Sequence, residues 1–137
     1  MELLNPLAGH ATVLVIDDDA GIRSVLKRAL TRAGHACLGA ADAAEGLEYA
    51  RSSRPDVIVL DIGLPDGDGR DVMNTLRNDP EMSHIPVLMI SGNVDHYRRM
   101  AALDAGAEDV IEKPFDSVLL ERKLTWMVTK SRAARDT

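Results

Sequence analysis

Short, wholly apolar runs alternate along this chain with longer stretches of helical periodicity. Val13-Leu14-Val15-Ile16, Val57-Ile58-Val59-Leu60 and Val87-Leu88-Met89-Ile90 each hold four apolar residues in a row, bounded by polar or turn residues. Such runs predict strands buried on both faces, as in parallel sheets. Residues 36–41, short and rich in small side chains, predict a weaker strand at a sheet edge, and Val110-Ile111 a short fifth one. Between them, Ile22, Val25, Leu26, Ala29, Leu30 and Ala33 recur at helical spacing up to Gly34. Further helices are predicted over 43–53, with Asp42 as N-cap, over 70–78, with Val72, Met73 and Leu76 inward, over 94–105, ending at Gly106, and over 116–130.

Five strands alternating with five helices predict an α/β fold: a doubly wound parallel sheet, covered on both faces and joined by right-handed crossovers. With 137 residues, 45% of them hydrophobic, the chain fits one domain. The expected division is a loose leader over 1–11, a domain over 12–131 and a tail over 132–137.

Charge and composition narrow the function. A net charge of -6 argues against direct nucleic-acid binding, which needs a basic surface. No apolar stretch reaches the roughly 20 residues of a membrane span, and the opening lacks the basic start of a signal peptide. The single cysteine, Cys37, makes no internal disulfide, so a cytoplasmic protein with no membrane contact is expected.

Candidate chemistry gathers at the strand ends: Asp17, Asp18 and Asp19 after the first, Asp61 after the third, Ser91 after the fourth and Lys113 after the fifth. In open α/β sheets the crevice beyond those ends binds ligands. Crowded carboxylates repel unless cations neutralise them, and oxygen donors without His or Cys select a hard ion such as Mg²⁺. A divalent cation, a lysine and a small hydroxyl together stabilise a transferring phosphoryl group, for which Asp61 is the natural acceptor.

Plainer readings stand beside these. Asp19 is read as a helix cap, Asp66 and Asp68 as turn formers with Gly67 and Gly69, and His10, His35, His84 and His96 as surface or loop residues. Ser91 could cap a helix, and Lys113 could be a surface charge. Trp126 is read as core or rim packing, and Tyr97, Arg98 and Arg99 as a partner surface or simply a solvated helix face.

Val15-Ile16-Asp17-Asp18, Leu60-Asp61 with Pro65 and Gly67, Ile90-Ser91-Gly92 and Lys113-Pro114-Phe115 together resemble the receiver domain of bacterial two-component response regulators. The resemblance implies a flavodoxin-like (βα)5 fold with strand order 2-1-3-4-5. It implies that Asp61 accepts phosphate from a sensor histidine kinase or a histidine phosphotransfer protein, and that the domain promotes only its own phosphorylation and dephosphorylation. Asp18, Asp61 and the Gly63 carbonyl would ligate Mg²⁺, with Asp17 assisting through water. Lys113 and Ser91 would contact the phosphoryl group, and Pro114 would follow a cis peptide. The face of the fourth helix, fifth strand and fifth helix would serve an output partner or a dimer. Val110 departs from the family, which often has an aromatic residue there. Two alternatives are a haloacid-dehalogenase-like phosphohydrolase, suggested by Asp17-x-Asp19, and a degenerate receiver that acts as a phosphate-independent interaction module.

Overall fold

A computed structural model describes residues 11–92 and 95–135, without the side chains of 96, 97 and 135. Strands β1 (Thr12–Ile16), β2 (Ala36–Ala40), β3 (Val57–Asp61), β6 (Val87–Ser91) and β7 (Asp109–Glu112) form one parallel sheet in the order β2-β1-β3-β6-β7. Counting only these strands, this is the order 2-1-3-4-5. A two-residue antiparallel pair, β4 (Gly63–Leu64) with β5 (Gly67–Asp68), lies in the loop after β3. The helices are α1 (Ala20–Arg32), α2 (Ala43–Ser53), α3 (Gly69–Arg77), α4 (His96–Asp104) and α5 (Ser117–Arg135).

The uninterrupted apolar runs reflect two cores rather than one. Successive strand side chains point to opposite faces, so Leu14, Ile16, Ile58, Leu60, Val87 and Met89 join Val72, Met73 and Leu76 of α3 on one face. Val13, Val15, Val57, Val59, Leu88 and Ile90 join Leu26 and Leu30 of α1 and Leu120, Leu124 and Met127 of α5 on the other. On the first face α2 approaches so closely that a Cβ on Gly46 would stand 2.5 Å from Ile16 Cδ1.

Aspartates start the helices. Asp19, Asp42, Asp68 and Asp95 are N-caps whose side chains accept backbone N–H groups. Asp116 accepts from Val118 and Leu119 at the start of α5. Gly34 and Gly106 follow α1 and α4 at φ 93° and 109°, a backbone region that only glycine enters freely.

Several expectations shift. Ala11, expected in the leader, is buried, and its carbonyl accepts from Ala36 N–H. Helix α5 runs to Arg135, past the expected boundary at 131. Residues 1–10, with His10, and 136–137 lie outside the described residues, as do Val94 and the side chains of His96 and Tyr97. Among the described residues no helix is long and apolar enough to cross a membrane.

Candidate functional site

Sheet register assembles the site. Ile16 pairs with Leu60, so the next residues, Asp17 and Asp61, emerge side by side from β1 and β3. Asp61 pairs with Ile90 and Ser91 with Glu112, which steps Ser91 and then Lys113 along the same edge. Two backbone bonds lock the stair: Ile62 N–H donates to Ile90 O at 3.0 Å and Lys113 N–H to Ser91 O at 2.8 Å. The Lys113-Pro114 peptide is cis.

The side chains converge. Asp17, Asp61 and Ser91 are 0%, 5% and 7% exposed. Lys113 Nζ lies 2.8 Å from Asp17 Oδ2 and 3.3 Å from Asp61 Oδ2. The contact with Asp17 is an ion pair but is poorly directed as a hydrogen bond, leaving that fully buried oxygen without a well-aimed donor. Gly63 N–H donates to Asp61 Oδ1 at 3.1 Å. Asp17 Oδ1 accepts from Asp19 N–H, and Arg23 donates to the Asp17 carbonyl, both at 2.8 Å. Asp18 is exposed, yet one oxygen each from Asp17, Asp18 and Asp61 lie within 4.8 Å of one another.

Electrostatics follow from this crowding. Burial pushes the Asp61 carboxyl above the ordinary aspartate range and the charge of Asp17 adds to it, against the pull of Gly63 N–H and Lys113. Burial disfavours charge on Lys113 too, but its contacts with Asp17 and Asp61 outweigh that and hold its pKa above the usual lysine value. Two carboxylates contact the Lys113 ammonium and a third lies within 4.8 Å of them, so the cluster retains excess negative charge. Its donors are all oxygen, and one is a buried oxygen lacking a directed partner. That set fits a hard divalent cation such as Mg²⁺.

Of the residues singled out by sequence, Asp17, Asp18, Asp61, Ser91 and Lys113 meet at this edge. Asp19 does not join them: its Oδ1 accepts from Gly21 and Ile22 N–H at the start of α1. The phosphohydrolase alternative needs that carboxylate in the site, so it loses its second acid. Asp66 is more than a turn former, since its carboxylate accepts from Ala43 and Ala44 N–H at the start of α2. Val110 is buried at 2% exposure. Trp126 is 54% exposed and lies between Lys123 and Lys130, whose ammonium groups stand 5.4 and 4.6 Å from the ring centre.

Two residues were not anticipated. A Cβ on Gly69 would stand 2.6 Å from the carbonyl oxygen of Asp61, so this glycine lets α3 begin directly against the Asp61 backbone. Its place after Asp68, at the predicted start of a helix, was the available signal. His35, expected at the surface, is 6% exposed and bridges Ala11 to α5. A polar residue opening an apolar strand was the only hint.

Comparison with known proteins agrees with this geometry. The response regulator receiver domain family model matches residues 13–125. The chain is 39% identical over 112 residues to the KDP operon transcriptional regulatory protein KdpE of Escherichia coli K12, covering 82% of this chain and 48% of that protein. It is 40% identical over 103 residues to response regulator MprA of Mycobacterium ulcerans, covering 75% and 44%. The chain thus spans about half the length of the curated relatives it matches. Among solved structures, chemotaxis response regulator CheY4 of Vibrio cholerae superposes with a TM-score of 0.81 at 29% identity, covering 86% of this chain and 98% of that one. The receiver domain of Francisella response regulator 1452 gives 0.83 at 27% identity, covering 88% and 98%. With a five-stranded parallel sheet in the order β2-β1-β3-β6-β7 and this sequence kinship, the chain belongs to the response regulator receiver domain family of two-component signalling.

Proposed function

We propose that this receiver is a phosphorylation switch in which Asp61 takes a phosphoryl group from a phosphohistidine on a sensor histidine kinase or a histidine phosphotransfer protein. The observation that carries this reading is the single ammonium of Lys113, set 2.8 Å from Asp17 and 3.3 Å from Asp61 within a cluster of three carboxylates.

An oxygen of Asp61 attacks phosphorus, the bond from phosphorus to the imidazole nitrogen breaks, and an acyl phosphate forms. Lys113 then turns from the Asp61 carboxylate to the new phosphoryl oxygens, and the Ser91 hydroxyl donates to another. Asp18, Asp61 and the Gly63 carbonyl would hold Mg²⁺, with Asp17 reaching it through water. The ion supplies positive charge that offsets the phosphoryl oxygens. Phosphate on Asp61 acts by favouring one of two conformations, so the domain is a regulator and not an enzyme with a separate substrate.

The output surface in this reading is the face of α4, β7 and α5. Met100, Leu103 and Trp126 are exposed there. Asp109 binds both Arg99 and Lys123 at 3.0 Å, and Lys130 lies 3.2 Å from Glu108. An output partner or a second copy would meet this mix of apolar and charged groups.

Incubation with radiolabelled acetyl phosphate and Mg²⁺ tests the acceptor. Asp61→Asn and Asp61→Ala are expected to abolish labelling; undiminished incorporation in either variant removes Asp61 from its role. Titration adds a second check: Mg²⁺ binding at neutral pH is expected and is weakened in Asp18→Asn, whereas its absence would favour the degenerate receiver.

A further inference from the structure

Asp18 is the least supported member of the acid cluster. It is exposed, and among the described residues no donor holds its carboxylate. Yet one of its oxygens stands within 4.8 Å of oxygens from Asp17 and Asp61. Its aim is therefore set by its own backbone. Asp17, by contrast, is pinned at every polar atom. Its N–H donates to Ala40 O at 3.0 Å, Oδ1 accepts from Asp19 N–H at 2.8 Å, and Oδ2 lies 2.8 Å from Lys113 Nζ. Its carbonyl accepts from Arg23 Nη1 at 2.8 Å.

The last of these contacts bears on Asp18. The carbonyl of Asp17 and the N–H of Asp18 share one rigid plane, so a donor that fixes the first also fixes the plane from which Asp18 departs. Arg23 is half-buried and reaches that carbonyl from α1. Its stem crosses β2 at Gly39, where a Cβ would stand 3.3 Å from Arg23 Cδ and 3.8 Å from Nε. A larger residue in β2 would crowd this path.

We infer that Arg23 is a positioning residue for the cation site: by holding the peptide plane between Asp17 and Asp18, it turns the Asp18 carboxylate toward Asp61. This rests on the reading of Asp17, Asp18 and Asp61 as a Mg²⁺ site. Charge and geometry here have opposite signs. A guanidinium beside a cation site repels the cation, so by charge alone its removal would tighten binding. Loss of orientation weakens binding instead. Orientation is the larger effect, because groups that orient a metal ligand govern roughly tenfold to a hundredfold in affinity, whereas charges facing water are screened within about 10 Å at 0.1 M salt.

Calorimetric titration of Mg²⁺ into the full, unphosphorylated chain tests this, with urea unfolding in chelator as the check that each variant folds. Arg23→Met, which keeps an apolar stem but no charge or donor, is expected to bind Mg²⁺ about tenfold more weakly. Arg23→Lys, which restores a charged donor on a shorter stem, is expected to recover part of that loss. In an Asp18→Asn background the carboxylate to be aimed is gone, so adding Arg23→Met is expected to change affinity by less than about twofold. A general loosening of the fold would instead weaken binding equally in both backgrounds. Equal loss in both backgrounds overturns the proposal, as does unchanged or tighter binding by Arg23→Met. Absence of Mg²⁺ binding by the unmodified chain, or undiminished binding by Asp18→Asn, overturns the cation-site reading and the proposal with it.

Discussion

The two edges of the sheet treat polar groups in opposite ways. At the amino edge, His35, Asp56 and Arg77 each have matching partners. His35 Nδ1 accepts from Ala11 N–H at 3.3 Å, which leaves the ring proton on Nε2, 3.3 Å from Glu121 Oε2 and 3.2 Å from Thr125 Oγ1. Asp56 Oδ2 accepts from Thr12 N–H at 2.8 Å and lies 3.3 Å from Arg132. Arg77 donates to the carbonyls of Ser83 and Ile85 at 2.9 Å and of Gly106 at 3.1 Å. At the carboxyl edge, Asp17 and Asp61 share Lys113, and an oxygen of Asp18 lies within 4.8 Å of theirs. Where polar groups serve stability they are satisfied within the chain; where they serve chemistry an excess charge is kept.

If that contrast is right, damage to the amino edge costs stability and damage to the carboxyl edge costs phosphorylation. The largest stability loss is expected for Arg77→Ala, about 2–3 kcal/mol, because three carbonyls lose a charged donor. Urea unfolding measures it, while the labelling rate of folded protein stays unchanged. Gly69→Ala comes next, at about 1–3 kcal/mol, since the added methyl meets backbone that cannot yield like a side chain. Unlike Arg77→Ala it also slows labelling, because the atom displaced belongs to Asp61.

Asp61→Asn moves the other way. A folded-state pKa above the unfolded value means that charge on Asp61 costs stability at any pH above that raised value. In chelator at pH 7 the variant is therefore expected to melt higher than the parent. The gap closes as acid protonates Asp61, and a lower melting temperature would break the comparison. The smallest effect is expected from Asp109→Asn on the exposed output face, under about 1 kcal/mol and weaker in high salt. Burial opposes charge on Asp109, but Lys123, Val110 N–H and Arg99 together hold its pKa low. Its contribution is thus full at neutral pH and is lost as pH falls through that depressed value.

Sequence alone disclosed the strands because burial on both faces leaves no polar interruption to blur them. It disclosed the acid cluster because strand ends in this topology share one edge, so Asp17, Asp61, Ser91 and Lys113 needed only their place in the order. It did not reveal His35, whose partners lie 24, 86 and 90 residues away and share no local pattern. Asp66 and Asp68 look alike in sequence, yet one caps a helix 22–23 residues back and the other the helix beside it. Helix α5 outran its expected end because Lys and Arg in the last turns suit a terminus without enforcing one.

The bonds from Ile62 to Ile90 and from Lys113 to Ser91 have a mechanical corollary. They clamp the last two residues of β6 from both flanks, so Ser91 cannot be dragged bodily toward its neighbour without tearing the lattice of amides around it. Its hydroxyl can swivel while the amides on either side hold still. A chemical event at the crevice therefore meets, at Ser91, a pinned backbone that carries one rotatable hydroxyl.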